Sequence, residues 1–247
     1  MTFKDHFSGH AGSYARYRPD YPAELFGYLA SLTPRHAVAL DCATGSGQAA
    51  VGLAAHFELV VASDGSVSQL RNAHPHPRVA YVGNLAEQPA LADHSVDVVV
   101  AAQAAHWFDH DRFHGEIRRV LRPAGALAIW TYGLAHIDAT VDATVRRFYS
   151  DVVGPYWPPE RRHVESAYRD LPFPWHEVAA PAFELKLQWQ LDDFIGYIGT
   201  WSAVQRYTKA RAADPLPALR AELARDWNSP AEARSVVWPL HLRVGRP

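Results

Sequence analysis

Residues 41–50, Asp-Cys-Ala-Thr-Gly-Ser-Gly-Gln-Ala-Ala, constrain the fold more than any other part of this chain. A short apolar run, Ala37 to Leu40, precedes them and has the length and type of a buried strand. Val51 to Ala55 follow with the small apolar residues of a helix packed on a sheet. A strand, a glycine turn and a helix in that order aim main-chain N–H groups and a helix N-terminus at one ligand. The rest of the first half alternates in the same way. Strands are expected at Glu58 to Ser63, Arg78 to Val82, Val96 to Ala102 and Ala126 to Trp130. Helices are expected at Pro22 to Leu32, Val67 to Ala73 and Asp109 to Leu121. Strand alternating with helix predicts an α/β, doubly wound, Rossmann-like parallel sheet with ligands at the carboxyl ends of its strands.

Two readings of the glycine turn compete. Gly45-x-Gly47-x-x-Ala50 fits the dinucleotide pattern, with Asp64 about 20 residues on where a ribose-binding acid belongs. The other reading is the acid-x-x-x-Gly-x-Gly loop of S-adenosylmethionine enzymes, whose acid ends the strand. Asp41 holds that position. A carboxylate there would repel a pyrophosphate but attract the ammonium of a methionine moiety. Asp41 therefore tilts the choice towards S-adenosylmethionine. A nicotinamide-dependent reductase is the alternative from the first reading.

Composition narrows the class. The 247 residues are 48% hydrophobic and 20% charged, with a formal net charge of −2, so no electrostatic argument favours nucleic acid or an anionic membrane. The single cysteine, Cys42, excludes an intrachain disulfide and a multi-cysteine metal site. The fourteen histidines form no metal signature, and no metal is expected. No apolar stretch approaches a membrane span and the N-terminus lacks a signal-like core, which points to a cytoplasmic protein. The expected partner is a small molecule, and the chain is expected to be a monomer or homodimer.

Five motifs occur in order: Asp41 to Gly47, the strand-end Asp64, Ala86-Glu87, Ser95-Val96-Asp97 with Gln103 to Phe108, and Leu121 to Gly125. With them the chain resembles class I S-adenosylmethionine-dependent methyltransferases of the small-molecule branch (methyltransferase type 11), which includes trans-aconitate and ubiquinone-biosynthesis types. The resemblance is strong over residues 7–133 and weaker beyond. It implies a seven-stranded, mostly parallel sheet in a single domain over 1–247. Residues 1–35 would be an N-terminal lid segment, and 134–181 a helical substrate cap inserted after the fifth strand.

It also implies roles. Asp41, with the Gly45 and Gly47 backbone, would hold the methionine end; Asp64 would accept from both ribose hydroxyls; Ala86 would meet the adenine edge; Gln103 would border the methyl donor. Ala43, Thr44 and Gly65 complete the cofactor loops. Two positions depart from the family pattern: Ala43 replaces the usual first glycine, and Leu85 replaces an acid near the adenine amino group, leaving an apolar contact.

Residues Tyr14 and Arg18 are expected near the cofactor and Tyr17 near the acceptor. His106 is the candidate base or positioning residue. Trp107, Trp130, Tyr132, Trp157, Trp201 and Arg206 are the other candidates for the substrate pocket. Asp97 is expected to be structural. The expected reaction is methyl transfer to a carboxylate or hydroxyl oxygen, yielding S-adenosylhomocysteine. A protein that binds the cofactor for a non-methylating reaction is the second alternative.

Overall fold

The computed structural model describes residues 17–247. Helix α1 (Ala23–Ser31) leads to β1 (Val38–Cys42), α2 (Gln48–Leu53), β2 (Leu59–Asp64), α3 (Val67–Arg71), β3 (Val79–Gly83) and β4 (Val96–Ala102). Then come α4 (His110–Val120), β5 (Leu121–Thr131), α5 (Ala139–Arg147) and α6 (Arg161–Glu165). The chain closes with β6 (His176–Val178), β7 (Phe183–Trp189), α7 (Leu191–Gly199), α8 (Ser202–Arg211), α9 (Leu216–Asp226) and β8 (Arg234–Arg246). The sheet order is β3-β2-β1-β4-β5-β8-β6. The first five strands are parallel, and β8 runs antiparallel to β5.

Side chains alternate across β4 and β5. Val98, Val100, Ala126, Ala128 and Trp130 pack on one face of the sheet, Val96, Val99, Ala101, Leu127 and Ile129 on the other. Both faces are covered, so these strands read as continuous apolar runs. Helices α1, α2, α7 and α9 contribute to the first layer and α4 to the second. Gly52 lets α2 approach α1 closely, because a Cβ there would enter the Phe26 ring. His114 of α4 is 3% exposed and has both ring nitrogens engaged, by Trp175 Nε1 at 2.8 Å and the Pro172 carbonyl at 3.0 Å. It pins the 172–175 segment to α4 and belongs to the core.

Three elements differ from the expected pattern. The sheet has eight strands where seven are expected, because β6 and β7 pair with successive stretches of β8 and β6 is only three residues long. The sequence pattern over 191–207 predicts one helix, which is broken at Thr200-Trp201, where Trp201 is extended (ψ 134°) and starts α8. The pattern over 141–153 likewise predicts one helix, which ends at Arg147 and continues as one π turn, Phe148–Val152. Among the described residues no helix is long and apolar enough to cross a membrane.

Asp97, 1% exposed, ties three strands together. Its Oδ2 accepts from the Ala37 and Val38 N–H groups, both at 2.9 Å, and its Oδ1 lies 3.0 Å from Arg122 Nε. Replacing Asp97 by Ala leaves two N–H groups and a partly buried guanidinium without their acceptor. The expected loss is about 3 kcal/mol, or ~6–12 °C in melting temperature, read by calorimetry.

Candidate functional site

The tips of β1, β2, β4 and β5 meet at one end of the sheet. After β1 the chain turns through Ala43 (φ 53°), Gly45 (φ 58°) and Gly47 (φ 89°). Ala43 thus adopts the left-handed conformation expected of a glycine, at a cost of about 1–2 kcal/mol. Gly47 has a second reason to be glycine: a Cβ would collide with the Tyr81 hydroxyl. The turn is held by Thr44 N–H to the Ser63 carbonyl at 2.9 Å and Gly47 N–H to the Thr44 carbonyl at 3.0 Å.

Asp41 lies beneath this turn and is fully buried. Thr44 Oγ1 donates to its Oδ2 at 2.5 Å, while its Oδ1 is enclosed with no hydrogen-bond partner. Burial raises its pKa from an ordinary 3.8 to about 7; the Thr44 hydroxyl opposes this and the neighbouring charge of Asp64 adds to it. Asp64 ends β2 and accepts from Gly45 N–H at 2.9 Å and Ser66 N–H at 2.7 Å. These two bonds fix its orientation.

Gln103, just past β4, also has a left-handed φ of 56°. Its main-chain N–H donates to the Trp130 carbonyl at 2.9 Å and its Nε2 to the Tyr132 carbonyl at 3.0 Å. Thr131 Oγ1 donates to its Oε1. His106 follows in a 3-10 turn, with Nδ1 2.8 Å from the Tyr168 hydroxyl. Its pKa is lowered from 6.5 to about 3 by burial first, and then by Arg161, His163 and His110. Arg18 Nη1 donates to the Tyr132 hydroxyl at 3.2 Å, and its guanidinium lies over the Tyr197 ring at 5.5 Å.

These groups surround a cavity of about 570 Å³, within the range of small-molecule sites. It is lined by Arg18, Ala43, Thr44, Gly45, Asp64, Gly65, Leu85, Ala86, Gln103, His106, Trp107 and Tyr132 among the residues singled out from sequence. Asp41 and Gly47 shape the turn from below. The other candidates lie elsewhere. Trp130 is fully buried in the first core layer, edge-on to Tyr21 at 5.3 Å, and does not line the cavity. Trp157 and Trp201 pack on each other at 5.7 Å and on Tyr149. Tyr17 packs against Gly196, and Arg206 on α8 does not line the cavity. Tyr14 lies outside the described residues.

Glu87, part of the Ala86-Glu87 motif but given no role from sequence, accepts at Oε1 from Asp109 N–H at 2.9 Å and ties the 84–88 loop to the start of α4. Sequence reasoning missed His110 and Glu160, which line the cavity together with His163. Asp109 as N-cap of α4 is the available signal for the Glu87 contact. Nothing local points to Glu160. Among the described residues no three His, Cys, Asp or Glu side chains gather as a metal site.

Comparison with known proteins bears on this geometry. A methyltransferase-domain family model matches residues 40–129. A protein of Dictyostelium discoideum named as a methyltransferase is 34% identical over 231 residues, covering 92% of this chain and 88% of its own. A solved structure from Anaeromyxobacter dehalogenans, described as a type II methyltransferase, is 49% identical with a TM-score of 0.87, covering 93% of this chain and 98% of that one. A phosphoethanolamine N-methyltransferase from Haemonchus contortus, solved with S-adenosylhomocysteine, shares the fold at 17% identity and a TM-score of 0.50, covering 100% of this chain and 60% of that one. The turn over Asp41, the acid at the tip of β2 and these relatives agree: the chain belongs to the class I S-adenosylmethionine-dependent methyltransferases.

Proposed function

We propose that the protein transfers a methyl group from S-adenosylmethionine to an oxygen of a small-molecule acceptor. One observation carries the cofactor assignment to individual residues: the enclosed, unpartnered Oδ1 of Asp41. A buried carboxyl of this kind costs free energy unless a cation or donor meets it, and the cofactor's ammonium supplies one. Bound S-adenosylmethionine supplies a methyl activated by a sulfonium. In this reading Asp41 holds the ammonium, and Asp64, which ends β2 and lines the cavity, takes the ribose hydroxyls. The Ala86 main chain and Leu85 side chain meet the adenine, and Gln103, fixed at both ends of its amide, borders the methyl.

The charge distribution favours oxygen over an amine as acceptor. Of the acids lining the cavity, Asp64, Glu87 and Asp109 belong to the tip of β2, the 84–88 loop and the start of α4. Around His106 stand Arg161 and His163, and Arg18 donates to Tyr132. Glu160 is the one acid lining this end among the described residues. An ammonium acceptor would meet repulsion there; a carboxylate or hydroxyl would meet donors. Residues 134–181 serve as the cap and the N-terminal segment as the lid, a reading supported by Glu160, His163, Arg18 and Tyr21 in the lining. The chain's own contribution to rate is then to hold acceptor and methyl in near-attack geometry away from water.

Two outcomes test this reading. S-adenosylhomocysteine at ~100 times its dissociation constant is expected to add about 2.7 kcal/mol, raising the melting temperature by ~5–10 °C, whereas NAD and NADP leave it unchanged. Turnover of an amine panel in preference to carboxylic acids and alcohols, measured as S-adenosylhomocysteine formed, would contradict the oxygen assignment.

The second outcome is a pH dependence. The carboxyl of Asp41 is raised above its ordinary value, so its neutral form favours the free fold at low pH and that advantage is lost as pH rises through about 7. Pairing with an ammonium requires the ionised form, so binding releases a proton. Affinity for S-adenosylhomocysteine is expected to climb up to about tenfold per pH unit below 7 and then level off. Calorimetry should show this slope in the native chain and its loss in Asp41→Asn, along with at least about tenfold weaker binding.

A further inference from the structure

Tyr168 is fully buried, and both it (φ 60°) and Ala167 (φ 57°) have left-handed backbones. Two such residues in succession are unfavourable without glycine. They turn the phenol inward, from the segment after α6 to the tip of β4, 62 residues away in sequence. There the phenol oxygen meets several groups at once. It lies 2.8 Å from His106 Nδ1. The Thr131 hydroxyl and the main chain of Ala105 and His106 lie close to it.

The direction of the contact with His106 follows from relative acidity. A buried phenol needs an acceptor for its proton. It is a far better proton donor than a neutral imidazole N–H and a weaker base than an imidazole nitrogen. Its proton has two takers nearby, Thr131 and Nδ1. Gln103 Nε2 is held by the Tyr132 carbonyl, so Gln103 Oε1 must accept, and the Thr131 proton goes there. Thr131 retains a lone pair, but an imidazole nitrogen is much the stronger base. The phenol proton points to Nδ1, and the neutral ring carries its own proton on Nε2.

The Nδ1 edge faces the buried phenol, and the rest of the ring lines the cavity. No described residue is hydrogen-bonded to Nε2. The charged and titratable groups acting on the ring are Arg161, His163 and His110. Arg161 is itself held by stacking on Trp157 at 4.5 Å and by donating to the Tyr149 hydroxyl at 2.8 Å. It has no carboxylate partner among the described residues. These neighbours oppose a second proton on His106, as burial does.

We infer that Tyr168 is a positioning residue that fixes His106 as an Nε2–H donor, so that the acceptor is oriented by a hydrogen bond and not deprotonated. The class of acceptor that fits is a small carboxylic acid, ionised before it enters. This rests on the cavity being the methyl-transfer site. One carboxylate oxygen accepts from Nε2–H; the other forms the new C–O bond as the S–CH₃ bond breaks and its electron pair stays on sulfur. The products are a methyl ester and S-adenosylhomocysteine, and no proton has to leave.

The test is histidine-selective ¹⁵N labelling of the full chain with S-adenosylhomocysteine, with His106 assigned by the signals lost in His106→Asn. Expected at neutral pH is a protonated, pyrrole-type Nε2 and an unprotonated Nδ1. In Tyr168→Phe the Nδ1 signal is expected to move and the ring to mix tautomers, with cofactor affinity kept within about threefold. An Nδ1–H tautomer in the native chain overturns the inference, and that spectrum decides even if Tyr168→Phe does not fold. An unchanged His106 pattern in a folded Tyr168→Phe also overturns it. In a panel of carboxylic acids and matched alcohols, acids should turn over at a rate flat across neutral pH. Turnover of alcohols alone, rising with pH, overturns the donor role and the acceptor class. Failure to bind S-adenosylhomocysteine at all would strike the underlying functional reading instead.

Discussion

The register between β1 and β4 is the constraint on which the site depends. Leu40 lies opposite Val99 and Asp41 opposite Val100, so the two strands end side by side and the turn after each opens into the same space. Asp97 holds that register from the other end of the sheet. It binds the first two N–H groups of β1's approach and pairs with Arg122 at the start of β5. A one-residue slip in this pairing would exchange the faces of every side chain on β4. Val99 would then leave its layer, and the turn after β1 would no longer open beside Gln103 at the end of β4. A carboxylate remote from the cavity thus fixes the position of the carboxylate beneath it.

The strand tips carry conformations that the sheet itself would not choose. Ala43 and Gln103 are both left-handed without being glycine. For Gln103 the compensation is visible, since its main chain and both ends of its amide are bonded to β5 and the residue after it. For Ala43 it comes through its neighbours, with Thr44 bonded to Ser63 by its main chain and to Asp41 by its side chain. Strain of a kcal/mol or two at each point is offset by bonds that also fix where the ligand-facing atoms point. Asp41 is the exception, because its second oxygen has no hydrogen-bond partner among the described residues.

Much of this could be read from the sequence because it is local. The strand, glycine turn and helix around Asp41 to Ala50 lie within a dozen residues, and turn chemistry and burial pattern suffice to order them. The limits were of three kinds. Trp130 lies near a strand end, as a pocket residue would, but alternation along β5 buries it with Ala126 and Ala128 inside the first layer. Trp157 and Trp201 were assigned by residue type, yet aromatic side chains from the π turn, the segment after it and the start of α8 satisfy one another instead. The break at Thr200-Trp201 had no proline to announce it; the burial of Trp201 in that aromatic group accompanies it.

The two ends of the cavity therefore differ in kind. The end at Asp64 is assembled from turns that each strand carries with it, so its residues can be named before the chain is folded. The other end is assembled from contacts between distant segments: His106 with Tyr168, Arg18 with Tyr132, and His163 with the cavity. The family model stops at residue 129, while similarity to the Dictyostelium discoideum protein extends over 92% of the chain. Relatives similar over the second half of the chain as well as the first are the ones in which the arrangement around His106 can be expected to recur.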